Sequence, residues 1–599
     1  MRLLPVVLPL LAALAMAAPA SAVPLHGLSP AGCIDDDDTG PDACAPSIDA
    51  LDAARGVAVS PDGKDVYATA FGDDAVLHFR RSTDGSLTPI SCVDDNDTGA
   101  DDCAQSTDGL DQARNVTVSP DGANVYVTGF ADDAVVTFRR ESNGSLTPLG
   151  CVDDNDTGPD ACAQSADGMD ALFDVVISPD GQNAYTSGGL DSAVTRFTRQ
   201  PDGTLVPGGC VEQTGGPDAC TLSTPGLNTV NGLVMSPDGT TLYAAGAVSN
   251  AITRLERGAG GVLDPVGCVK DTASAETCVQ TAAGLENPRS MAITPDGASL
   301  YVASLGSLAV VRFDRAAGGG LTPRGCIKDA SSAAGCPDIV AGLSGLQDLA
   351  VSDDGESVYT AGTTLMRFDR AASGGLTTDD CIADVGVTGC GQNALGMAGL
   401  FGVAVAPDGA DVYTASQNDD AVARFERELP PHCFGRGSSG LPGASQTVAL
   451  DCADPNGDPI AISIVRGPAS GALGAVNQGA GTVGYTPDAG FSGLDSFAFR
   501  ARADGKDSNL AEAGVLVLAA AGPAGPQGPA GVNGGNGAPG LPGPAGPSGP
   551  AGPSGPAGPA GTPRSGCSRC SAGTASARGR ASGRRSPSRR ARPVPRRSS

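Results

Sequence analysis

One short cassette recurs seven times along this 599-residue chain, and no other feature restricts its fold so strongly. Each copy is an apolar run, then S-P-D-G or a near copy, then a Tyr four residues after the Gly. The glycines are Gly63, Gly122, Gly181, Gly239, Gly297, Gly355 and Gly409, and the tyrosines are Tyr67, Tyr126, Tyr185, Tyr243, Tyr301, Tyr359 and Tyr413. Six of the repeats stand 58 or 59 residues from their neighbour and the last 54. A period of that length, written in short β-type runs, is one small sheet that cannot bury itself alone.

Within each repeat the strands are legible. In the first copy, GVAVS (56–60) reads as a buried strand and Pro61-Asp62-Gly63 as a turn in which Pro presets φ and Gly accepts φ > 0. DVYATA (65–70) and AVLHFR (75–80) follow, and a fourth strand is signed L-x-P-x-x-C, from Leu87 to Cys92. The third strand carries F-x-R, as in Phe79 and Arg81 or Phe138 and Arg140, with Leu255 and Arg257 the one variant. We read this Arg as a snorkelling edge residue. The seventh cassette lacks a fourth strand, and the missing copy stands instead near the start, from Leu28 to Cys33. The expected fold class is therefore all-β: a seven-bladed β-propeller of four-stranded blades, closed by its N-terminal segment.

Cysteines sit at one place in each repeat. The couples are Cys33 and Cys44, Cys92 and Cys103, Cys151 and Cys162, Cys210 and Cys220, Cys268 and Cys278, Cys326 and Cys336, and Cys381 and Cys390. Their spacing is too long for a zinc knuckle and no His is near, so local disulfides are expected, each worth roughly 2–3 kcal/mol. That fits an oxidising compartment, as does residues 1–22: Arg2, an apolar run and the A-x-A of Ala20-Ser21-Ala22 read as a secretory signal. A formal net charge of −29 argues against nucleic-acid and anionic-membrane partners. No later stretch is apolar enough for a membrane helix. The expected location is secreted or extracellular, including cell-wall attachment.

The chain changes style after residue 430. Residues 431–520 carry D-P-N-G-D (from Asp454), G-Y-T-P (from Gly484) and F-S-G-L-D-S-F (from Phe491), strands and turns at sandwich spacing. These motifs resemble bacterial cadherin-like, Ig-like modules, and Cys433 and Cys452 are placed to staple the module's entry. From 521 to 563 Gly falls at every third position, a collagen signature that implies a homotrimeric stalk. The Arg/Ser-rich tail 564–599 cannot build a core, and it fits a basic wall-binding tail and an out-of-frame reading equally.

Function is sought where the repeats differ. Eight positions before each cassette Gly stand Arg55, Arg114, Phe173, Asn231, Arg289, Gln347 and Phe401; Asp174 and Asp348 follow two of them. At the first turn of innermost strands these would ring one channel mouth, as a solvated rim or as a site for a carboxylate or sugar. Residues 25–428 also resemble the seven-bladed lactonase family, with its 6-phosphogluconolactonase-like and muconate-cyclising members, and related surface-layer (YVTN-type) propellers. The motifs are S-P-D-G-x-x-V-Y, D-G-x-L-T-P and Asn287-Pro288-Arg289-Ser290. The resemblance implies a His where Ser290 stands and a Glu near Ser304, so no catalytic residue is assigned. No cofactor is required. Asp94, Asn96 and Thr98, and Asp153, Asn155 and Thr157, follow the opening of a calcium loop without its terminal Glu, which fits a weak Ca²⁺ site or a solvated loop. The expectation is a multivalent binding or structural protein of a bacterial surface, with a protein or glycan ligand. The alternative is a secreted lactone hydrolase.

Overall fold

The computed structural model describes residues 27–37, 44–96, 103–155, 162–217, 220–503, 506–519 and 528. The expected signal segment, most of the Gly-x-y stretch and the basic tail lie outside them.

Seven sheets stack face to face in chain order. The first runs Ala54–Val59, Asp65–Ala70, Ala75–Arg81, Leu87–Asp95 and Gln105–Thr107, neighbours in that order. The innermost strands pack side by side through the series, and Leu400–Val405 of the seventh sheet meets Ala54–Val59 of the first, so the array closes on itself around one axis. The expected fold class is corrected in its repeating unit. The blade of four strands is replaced by a sheet of five, whose outermost strand is parallel to its neighbour: Val93 pairs with Gln105 and Asp95 with Thr107. The disulfide explains it. Cys92 joined to Cys103 turns the chain back beside the fourth strand, where three residues have room to pair and no apolar run announces them. We therefore describe the architecture as a closed coil of seven five-stranded sheets.

The second strand of each sheet is buried along its whole length, as Asp65–Ala70 shows, because both faces of the sheet are covered. Tyr67, Val76 and Val93 of the first sheet pack on Val116, Val127 and Phe138 of the second, and the same layer repeats between later neighbours. The displaced N-terminal strand, Leu28–Asp36, pairs antiparallel with Ala421–Arg427 and completes the seventh sheet. All seven expected cysteine couples are disulfides, as are Cys433 and Cys452.

The Arg of F-x-R corrects the edge reading. It is a clamp between sheets. Arg140 donates from Nε to the Tyr67 hydroxyl at 3.1 Å and from Nη2 to Asp62 of the preceding turn at 2.8 Å. Tyr67 in turn donates to the Gly144 carbonyl at 2.6 Å. Arg199, Arg257, Arg315 and Arg370 repeat this with Tyr126, Tyr185, Tyr243 and Tyr301. Arg81 closes the coil on Tyr413, Asp408 and Asp411. The S-P-D-G turn presents the acid: each cassette Gly has φ between 67° and 73°, a conformation that costs other residues strain. At the seventh junction the clamp is incomplete. Arg427 reaches Asp354 at 2.8 Å, but its Nε and the Tyr359 hydroxyl are buried without hydrogen bonds. The chain there runs on to Leu429 and Pro430, so no D-G turn supplies the carbonyl.

Residues 431–519 form two facing sheets. One holds Gly437–Gly440, Ala511–Val517, Gly493–Ala503 and Ala461–Arg466; the other holds Gln446–Ala449, Thr482–Pro487 and Gly471–Asn477. Val448, Ile462, Tyr485, Phe497 and Phe499 fill the space between. Asn456, in the D-P-N-G turn, brackets the incoming chain: its Oδ1 accepts from Leu429 N–H and its Nδ2 donates to Arg427 O, both at 2.8 Å.

Candidate functional site in the central channel

The innermost strands carry a repeated irregularity. Register slips by one residue between Ala113 and Asn115, Leu172 and Asp174, Val230 and Gly232, Pro288 and Ser290, and Leu400 and Gly402. The skipped residues are Arg114, Phe173, Asn231, Arg289 and Phe401. A bulge frees its extra residue from the ladder and re-aims the side chain, here into the lumen. Close approach of the strands needs glycine at some positions: a Cβ on Gly402 would stand 2.4 Å from the Arg55 carbonyl oxygen.

The result is a cavity of about 290 Å³ that gathers every predicted channel residue: Arg55, Arg114, Asp174, Asn231, Arg289, Gln347 and Asp348. Its walls differ. On one side Arg55 and Arg114 lie against phenyl rings. On the other, Asp348 accepts from Ser290 Oγ at 2.5 Å, from Leu349 N–H at 2.8 Å and from Val403 N–H at 3.0 Å. Asp174 accepts from Leu233 N–H at 2.8 Å.

Burial dominates the electrostatics. It lowers the Arg55 guanidinium to about 10 and Arg114 to about 9, the latter helped by repulsion from Arg55 and Arg289. Arg289 is lowered by burial too. Desolvation pushes Asp174 up to about 7, against the pull of its backbone hydrogen bonds and Arg114. Asp348 is raised by burial, against its three donors. Depth in the channel, which no local sequence signal announces, places Asp174 to titrate near neutrality. Ser290, standing where the resemblance places a His, donates its hydroxyl hydrogen bond to Asp348, and Ser304 is buried with its hydroxyl unpaired.

Four of the six calcium-loop candidates lie among the described residues. Asp94 and Asp153 are buried on strands, while Asn96 and Asn155 donate their amide N–H groups to Asp108 and Asp167. Thr98 and Thr157 lie outside the described residues. Among the described residues no three His, Cys, Asp or Glu side chains are grouped to hold a metal ion.

Comparison with known proteins identifies two regions. Residues 174–324 match the SMP-30/gluconolactonase/LRE-like region, and residues 439–515 match a bacterial Ig domain. No curated protein matches the chain. Similar solved structures include a putative 6-phosphogluconolactonase from Bacteroides uniformis, at 18% identity over 57% of this chain and 86% of that one, with a TM-score of 0.41. The periplasmic gluconolactonase of Pseudomonas aeruginosa is similar at 17% identity, over 59% of this chain and 95% of that one, with a TM-score of 0.42. The chain thus contains a lactonase-like region and an Ig-like domain. The eight disulfides among the described residues and the bacterial Ig domain are compatible with an extracellular protein. Among the described residues no helix is long and apolar enough to cross a membrane.

Proposed function

We propose that the central channel binds a small, polyhydroxylated anion of the sugar-acid or sugar-lactone class. One observation carries this: in a chain of net charge −29, three guanidinium groups crowd one cavity with no carboxylate at ion-pair distance among the described residues. Two of them, Arg55 and Arg289, keep a buried Nε without a hydrogen-bond acceptor. Guanidinium groups without an ion-pair partner in a desolvated cavity are stabilised by an anion. The match of residues 174–324 to a gluconolactonase-like region supports the ligand class. Calorimetric titration with gluconate is the test. Micromolar to millimolar binding that Arg114→Ala weakens at least tenfold is expected; heat unaltered by the substitution would remove the proposal.

A second reading rests on Asp174. With its pKa near 7, its carboxylate can take a proton from water as the water oxygen attacks a lactone carbonyl. The ring C–O bond then breaks, the leaving oxygen takes up a proton, and a hydroxy acid results. Hydrolysis of gluconolactone, followed by pH-stat, should then rise with pH through about 7, as Asp174 loses its proton, and Asp174→Asn should abolish the rise. A rate equal to the uncatalysed one leaves binding as the function. The multivalent surface role extends the first reading. Residues 521–563, of which only 528 is among the described residues, would join three chains and so multiply weak attachment. Sedimentation of the full chain, with and without that segment, checks it.

A further inference from the structure

We infer that four phenylalanines hold Arg55 and Arg114 as a rigid anion clamp, so that the ligand enters in one orientation, anionic end toward this wall and hydroxyl groups toward the opposite one. This deepens the anion-site reading and rests on it. The Arg55 Cζ lies 3.2 Å from the Phe71 ring centroid and 4.8 Å from that of Phe401. The Arg114 Cζ lies 4.2 Å from Phe173, 5.5 Å from Phe130 and 5.8 Å from Phe401. Phe401 is therefore shared, and the rings support one another: Phe130 meets Phe173 edge-on at 5.3 Å, and Phe71 stands 6.2 Å from Phe130.

A ring face attracts a guanidinium without using its N–H groups. The phenyls thus fix where the two cations stand and leave their donors for an oxyanion, which a carboxylate partner would not. Two groups of like charge remain close only under such constraint, and Arg55 depresses Arg114 by repulsion. Repeat symmetry makes the arrangement specific. Phe71 and Phe130 follow directly on the second strands of their sheets, where the other sheets carry Gly189, Ala247, Leu305, Gly362 and Gln417. Room for the Phe173 ring is left by Gly189, whose Cβ would stand 2.3 Å from it. The aromatic wall spans the seventh, first, second and third sheets in unbroken succession. The fourth to sixth sheets supply Asn231, Ser290, Gln347 and Asp348, hydrogen-bonding groups suited to hydroxyls, with Arg289 as the one cation among them.

Phe71 and Phe173 are on this account positioning residues. The test titrates the folded protein with gluconate, glucitol and inorganic phosphate, comparing wild type with Phe71→Leu, Phe173→Leu, Phe71→Tyr and Gln347→Ala. Melting curves and competition by salt are recorded for each. Both leucine variants should lose gluconate and phosphate binding by at least tenfold while glucitol binding holds, and Phe71→Tyr should restore them. Gln347→Ala should weaken gluconate and glucitol but leave phosphate unchanged. Leucine variants that bind both anions as wild type does, or that lose glucitol equally, would overturn the clamp. If the wild-type protein binds neither gluconate nor phosphate, the anion site itself fails, a result distinct from failure of the clamp alone.

Discussion

The rim of the coil and its channel treat arginine in opposite ways. At the rim Arg140, Arg199, Arg257 and their equivalents each have a carboxylate and a tyrosine of the preceding sheet, six times nearly alike. In the channel Arg55, Arg114 and Arg289 have no such partners, and no two sheets present the same residue pair. Repetition marks what every junction needs to stay closed. Asymmetry, with charge left unneutralised, marks what a ligand would satisfy.

Four experiments can break or sharpen that contrast. The largest effect should come from deleting residues 23–36. This removes the strand that completes the seventh sheet and the buried Leu28 and Ile34, and should cost on the order of 5 kcal/mol or more in urea unfolding. A melting temperature within a degree or two of the intact protein's would refute the closure. Next, Asp411→Ala should cost about 3–5 kcal/mol, because it removes the buried carboxylate that Arg81 and Arg424 share and leaves Arg81 with Asp408 and Tyr413. Third, Tyr126→Phe should cost about 1–2 kcal/mol, since it unpairs Arg199 Nε and the Gly203 carbonyl. Tyr359→Phe, at the incomplete seventh clamp, should be neutral or stabilising; equal losses at both tyrosines would mean that the seventh junction is clamped after all. The smallest effect on stability is expected in the channel. Arg114→Ala should change unfolding free energy by less than about 0.5 kcal/mol, or raise it, while anion binding falls. A loss as large as at the rim would make the channel arginines structural.

Much of this was legible in the chain. The cassette period, the displaced L-x-P-x-x-C strand and the cysteine couples are local signals, and short-range chemistry follows them: a Gly that accepts positive φ turns the chain, and two Cys at one place in each repeat meet. The channel residues were found by the same repeat, since position within a strand determines which ones face the axis. Other features left no local trace. The fifth strand is too short for a hydrophobic pattern and pairs where the disulfide anchors Cys103 beside the fourth strand. The clamp joins residues distant in sequence, 73 and 78 positions for Arg140 with Tyr67 and Asp62, so the local sequence around Arg140 reads only as a strand edge.

Sequence alone determined the number of sheets, where each begins, which cysteines pair and which seven positions face the channel, because those follow from periodicity and covalent neighbourhood. Tertiary structure alone decided that Asp174 titrates near neutrality, that Ser290 is committed to Asp348, and that Phe71 and Phe173 lie against the guanidinium groups of Arg55 and Arg114. Those properties depend on desolvation and on contacts between sheets. Both exist only once the coil has closed.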